Sequence, residues 1–220
     1  MSANSAAVGS VRSVPVAARV SIAAVVVYQV LLAALIPIRP DLDPARKPIS
    51  EYAIGQFGWM MILAFLVSTM SYGWLYVAIR SQVRGAAGRV GLVILLICVV
   101  GTFGVGVFVA DPISTPMNAL STRGTLHVVF GTSALVLLPF AALLINLSLT
   151  HRNPTWAPAR RPLLWTAGIP LLGLAIFSVM VAVVVPAEGW PPRFLLLTYL
   201  VWLVTLAGQA IRLSGSPEPS

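Results

Sequence analysis

Polar and apolar positions along this chain fall into six long apolar runs separated by short polar links. The runs lie over roughly 17–37, 58–80, 90–109, 126–149, 163–185 and 194–212. Each is continuous and about as long as the ~20 residues a helix needs to cross a bilayer, and none alternates as the strand of a membrane barrel does. The pattern predicts an all-α integral membrane protein, a six-transmembrane-helix bundle over 17–212. A Ser/Ala-rich stretch, 1–16, and a C-terminal stretch, 213–220, are expected to be disordered tails. The first run has a basic lead, Arg12 and Arg19, but "IPIRPD" follows it in place of a small-residue cleavage site. It is therefore expected to remain as a span.

Composition strengthens this picture. The chain is 58% hydrophobic and 9% charged, against about a quarter charged in a soluble domain. A surface in water cannot absorb that much apolar area, so the bilayer is the expected partner. The net charge of +8 would suggest nucleic acid in a soluble chain. Here the basic residues sit in the links between runs, so their distribution is read as orientation, and no nucleic-acid partner is expected. One side holds Arg12, Arg19, Arg80, Arg84, Arg89, Arg152, Arg160, Arg161 and Arg212. The other holds only Arg39, Arg46, Lys47, Arg123 and Arg193. The positive-inside rule then puts both termini in the cytoplasm and the protein in the plasma (inner) membrane. Asp41, Asp43, Glu51, Asp111 and Glu188 all fall on the outer side.

Several outer residues stand at helix ends where the dipole disfavours them. Asp111 is expected to close the third helix and Glu188 the fifth, each at a negative end. Arg193 opens the sixth and His127 lies in the first turn of the fourth, each at a positive end. Glu51 is the exception: after Pro48, with Ser50 as N-cap, it is expected in the first turn of the second helix, where a carboxylate is favoured. Such mismatches suggest mutual pairing, with Asp111, His127 and Arg193 forming a shared outer cluster and Glu51, Tyr52, Glu188 and Arg123 around it. Ionisable groups at membrane depth point to a site, with a structural clamp between helix ends as the competing reading.

Other chemistries find little support. His127 is the outer side's single histidine and Cys98 the chain's single cysteine, too few for a zinc site, and no metal or cofactor is expected. No G-x-S-x-G elbow accompanies the loop serines. "GTFGVG", 101–106, lies inside an apolar run and follows no strand, so its glycines are expected to seat a neighbouring helix. Pro139 and Pro170 fall inside spans, where they should kink the helix and free backbone carbonyls. Trp59, Trp74, Trp165 and Trp190 lie near run ends, as an interfacial belt does. "NLS", 146–148, matches a glycosylation acceptor but sits at the inner end of a span and carries no expectation.

Four stretches carry a resemblance: "DLDPARKPISEYAIGQFGW", "GVGVFVADP", "RGTLHVVFGTSALVLLPFA", and Glu188 with Arg193 ahead of a sixth span containing Trp202. Together they resemble the six-helix membrane family catalogued as domain of unknown function 998, over roughly 17–212. The family's "HG-x-LH" motif is present as Arg123-Gly124-Thr125-Leu126-His127, with Arg123 in place of its leading His. The resemblance implies that Asp111 and His127 belong to one site, and it brings no activity.

Three uses of the outer cluster stand open. It could bind a lipophilic or lipid-headgroup ligand and transform it by general-acid chemistry, such as cyclisation of a prenylated metabolite, with Asp111 and His127 catalytic and Arg193, Glu188, Glu51, Tyr52 and Arg123 binding. It could belong to a transporter or permease subunit, although no inverted repeat or mid-membrane acid is visible. Or the protein could be a non-catalytic structural or regulatory membrane partner, with the charged residues as a clamp between its helix ends. Ligand identity and oligomeric state are not legible in the chain.

Overall fold

The computed structural model describes residues 3–183 and 188–215, with side chains from Val14 onward. Its long helices are α1 (Ala3–Ile38), α2 (Gly58–Ile79), α3 (Gly85–Val107), α4 (Thr122–Arg152), α5 (Arg160–Val183) and α6 (Trp190–Ser214). All 6 contain an apolar stretch long enough to cross a membrane, and no strand occurs among the described residues. The all-helical six-span expectation therefore holds. The backbone of α1 begins at Ala3, within the segment read as a tail, although its apolar span starts at Val14. The end of the fifth run and the last five residues of the C-terminal tail lie outside the described residues.

The helices pack in chain order and close into a ring. Each of α1 to α5 packs on the next, α6 returns against α1, and α6 also touches α2 and α4. Glycine makes the tightest seam possible. On α3, a Cβ at Gly101 would meet the Phe130 carbonyl oxygen at 2.8 Å, and one at Gly104 would enter the Phe130 ring. Gly101 and Gly104 of "GTFGVG" thus seat α4 against α3, and Gly106 seats Leu66 of α2, as small residues do between membrane helices. The opposite face of α3 presents Val93, Ile97, Val100 and Phe103, exposed by 57%, 43%, 56% and 52%. An exposed apolar stripe of that kind is stable only against hydrocarbon.

Buried polar groups tie the ring together. Asn146 is fully buried; its Nδ2 donates to the Leu163 carbonyl at 2.6 Å and its Oδ1 accepts from Trp202 Nε1 at 3.2 Å. It thereby joins α4, α5 and α6. Pro139 has no N–H, so the Leu135 carbonyl one turn earlier lacks its helical donor. Tyr199 Oη of α6 donates to that carbonyl at 2.6 Å.

Candidate functional site

The end of the ring opposite the termini carries the residues singled out above, held in three connected groups. The first surrounds the entry to α4. Asp111 accepts from Ser121 N at 2.6 Å through Oδ2 and from Ser121 Oγ at 2.9 Å through Oδ1. Ser121 is the N-cap of α4, and its Oγ accepts from Gly124 N at 3.0 Å. Only glycine fits at 124, because a Cβ there would enter the Asp111 carboxylate. Six residues into α4, buried His127 makes a 2.6 Å hydrogen bond from Nδ1 to the Phe108 carbonyl, at the C-terminus of α3. A carbonyl offers only lone pairs, so Nδ1 carries the proton and Nε2 is the acceptor of the neutral ring. The Phe65 ring packs against the imidazole edge at 6.2 Å.

The second group centres on Glu51, 5% exposed. Its Oε1 accepts from Ile113 N at 2.7 Å and its Oε2 pairs with Lys47 Nζ at 2.9 Å. This carboxylate laces the link before α2 to the link after α3. It does not stand in the first turn of α2, as the sequence suggested. Residues Ile49–Ala53 form a separate 3-10 turn, and α2 begins only at Gly58, behind Phe57 at φ 62°. Gly58 lies so close to the Ala53 carbonyl that a Cβ would overlap it. Arg39, just after α1, fastens the same link, donating through Nη1 to the Ile54 and Gln56 carbonyls while its Nε and Nη2 grip Asp41. The hydrogen bonds from Arg39 hold the Asp41 carboxyl below the ordinary carboxylate range.

The third group is built on Arg193. Its Nη1 donates to the carbonyls of Pro44, Lys47 and Gly189, at 2.9, 2.8 and 2.9 Å. The guanidinium carbon lies 5.8 Å from the ring centroids of both Tyr52 and Trp190. Tyr52 Oη donates to the Leu42 carbonyl at 3.0 Å, and burial pushes its phenol above the ordinary value, keeping the donor protonated. Gly189 is packed on the Ala45 carbonyl with no room for a side chain, which brings the 44–47 link within reach of Arg193.

The expected shared cluster is therefore redistributed. Among the described residues, neither Asp111 nor Glu188 forms an ion pair with Arg193 or His127. The cause lies in where the helices stop. α3 ends at Val107, so Asp111 does not close it, and Glu188 lies in a bend just before α6. Asp111 serves the positive N-terminus of α4, and Glu188 immediately precedes that of α6, so both acids occupy favourable ends. His127 satisfies a carbonyl at the negative end of α3. Arg193 does stand at a positive helix end, where three carbonyl dipoles offset the mismatch. Arg123 is exposed on the first turn of α4. The residues form one lacing through the backbone of the links, not a set of facing charges.

Beneath the lacing lies a cavity of about 280 Å³ inside the ring. Pro48, Ile49 and Ser50 cover its outer end, and Tyr72, Cys98, Leu138 and Tyr199 line its depth. His127 is the one residue of the expected cluster in its wall; Asp111, Arg193, Glu51, Glu188 and Arg123 are not. A second cavity, about 350 Å³, lies between α1 and α6 and is lined by Tyr52, Trp190 and Arg193 above Leu32, Ile36, Leu197 and Leu200. Sequence reasoning missed Tyr199 and Asn146. The legible signal for Tyr199 was Pro139, which announces an unpaired carbonyl without naming the side chain that answers it.

No curated protein and no solved structure matches the chain. A family model does, the protein of unknown function family DUF998, over residues 22–209. That match takes in all six membrane helices and the outer links that carry Glu51, Asp111 and His127, and the chain belongs to the DUF998 family.

Proposed function

We propose that this multi-pass protein binds an elongated apolar molecule in the cavity within its helix ring, with the laced links as an exoplasmic cover and both termini in the cytoplasm of a plasma-membrane protein. The observation that carries the reading is the cavity itself, about 280 Å³, near the lower limit of small-molecule sites. Its wall is mostly aliphatic and aromatic, with polar groups that include His127, Ser68, Thr102, Thr132 and the tyrosines. Such a wall recognises shape and hydrophobicity and offers few directional contacts. His127 supplies the most specific of them, its ring fixed in the wall by the hydrogen bond from Nδ1 to the Phe108 carbonyl.

Binding is favoured over general-acid chemistry on the same grounds. Asp111 spends both oxygens on Ser121, and Glu51 spends both on Ile113 and Lys47. Neither lines the cavity. Each carboxylate therefore acts as a hydrogen-bond acceptor holding a link. Asp111 bears on the cavity indirectly, by fixing the first turn of α4 and with it His127.

The test is a titration of the detergent-purified protein with a polarity-sensitive naphthalene dye, together with untargeted mass spectrometry of co-purifying lipophilic molecules. Gly131 lines the cavity, and a Cβ there would meet only Val105, at 3.4 Å. Gly131→Phe should fill the space, abolish dye uptake and empty the protein of its co-purifying species while the fold stays intact. Equal dye uptake and equal co-purified content in the folded variant would refute the proposal.

A further inference from the structure

We propose that the groove between α1 and α6 is a separate site for an anionic phospholipid, with its phosphate on Arg193 and its acyl chains along the two helices. Arg193 donates to backbone carbonyls through Nη1 alone, and the Tyr52 hydroxyl is a further hydrogen-bonding neighbour of its guanidinium. No guanidinium nitrogen is orphaned by burial, because no buried side-chain nitrogen or oxygen among the described residues lacks a partner. Arg193 lines the cavity between α1 and α6. A guanidinium held rigid by three carbonyls, beside a neutral hydroxyl and with no acid paired to it among the described residues, presents the charged fork that phosphate oxygens accept.

The surroundings select an amphiphile. Directly below the guanidinium the wall is Leu32, Ile36, Leu197 and Leu200. Ile36 and Leu197 are exposed by 41% and 44%, so the groove opens sideways along the spans, where acyl chains lie. Trp190 and Tyr52 flank the charge, as aromatic rings do at the level of headgroups. A free phosphate would gain only the fork, whereas a phospholipid gains the fork and the apolar wall together. The nearest acid in the chain, Glu188, makes no ion pair with Arg193, so the positive charge is not already neutralised. Ile49 and Leu196 line both this groove and the inner cavity, yet the groove's occupant is independent of whatever the inner cavity holds.

The experiment is native mass spectrometry of the delipidated full-length protein, titrated separately with phosphatidylglycerol, phosphatidylcholine and inorganic phosphate. The wild type should retain phosphatidylglycerol about tenfold more tightly than phosphatidylcholine, the weight of one charge-assisted contact. Arg193→Gln should erase that preference. Because this variant also frees the 44–47 link, Ala33→Trp provides an independent arm: it blocks the groove, leaves Arg193 in place, and should lower retention of both lipids. Equal retention of the two lipids by the wild type, an undiminished preference in folded Arg193→Gln, or undiminished retention in folded Ala33→Trp would overturn the proposal. Competition by inorganic phosphate at the same concentration as the lipid would overturn the phospholipid assignment and leave a simple anion site.

Discussion

Tyr199→Phe removes one hydroxyl from the middle of the bundle, and its consequence depends on a proline in another helix. The hydroxyl donates to the Leu135 carbonyl at 2.6 Å. In an uninterrupted helix that carbonyl would accept from the N–H of residue 139, but residue 139 is proline. Tyr199 is 1% exposed, and Leu135 packs against the core. Without the phenol, the carbonyl loses its donor in a low-dielectric setting, a loss of about 2 kcal/mol. For a chain of this length that corresponds to a fall of ~4–8 °C in Tm. Thermal unfolding in detergent, followed by the fluorescence of buried Trp156 and Trp202, measures it. The decisive comparison is Tyr199→Phe in a Pro139→Ala background. There residue 139 regains an N–H, the helix can satisfy Leu135 by itself, and deleting the phenol should lower Tm by at most ~2 °C further. If the two substitutions are additive, the hydroxyl does not answer the proline and the reasoning fails.

Three other outcomes follow from the same geometry. Gly104→Ala drives a methyl group into Phe130 and should destabilise by about 1–3 kcal/mol, whereas Gly73→Ala, whose new Cβ meets nothing within 4 Å, should stabilise by ~0.5–1 kcal/mol in the same unfolding assay. Glu51→Gln keeps an acceptor for Ile113 N and loses only the Lys47 ion pair, about 1 kcal/mol, while Glu51→Ala loses both, ~2–4 kcal/mol; equal Tm values for the two variants would contradict the lacing. The Asp41 carboxyl is held below its ordinary value by Arg39, so its contribution is complete above the unfolded pKa of about 4 and is lost as pH falls through the lower folded value. An unfolding series from pH 7 to pH 3 should show Asp41→Asn converging on the wild type only at the acid end.

The six spans, their lengths and their membrane environment were written in the chain, because a bilayer reads helices one at a time. About 20 continuous apolar residues suffice, whatever their neighbours do. The same holds for the glycines of α3, whose position inside a span already marked them as packing contacts, and for Pro139, whose missing N–H is a local fact. The positions of the charged side chains were not legible in that way. Asp111 looked like the end of α3 and proved to be the support of α4, because three residues of loop separate Val107 from it and the chain turns back there. Glu51 looked like part of α2 and belongs to a turn of its own, set by Phe57 and by the close approach of Gly58 to Ala53.

Arg193 shows the difference most clearly. In sequence it is a cation with nearby acids; in space its partners are carbonyls from residues 44 and 47. Backbone carbonyls are the same in every residue, so no pattern of side chains announces which of them a guanidinium will meet. The hydrophobicity of each run set the bundle, which is a local property summed along one helix. Closure of the ring, with α6 back on α1 and a cavity left between them and their neighbours, is a relation among helices far apart in the chain. Only the tertiary structure could decide it.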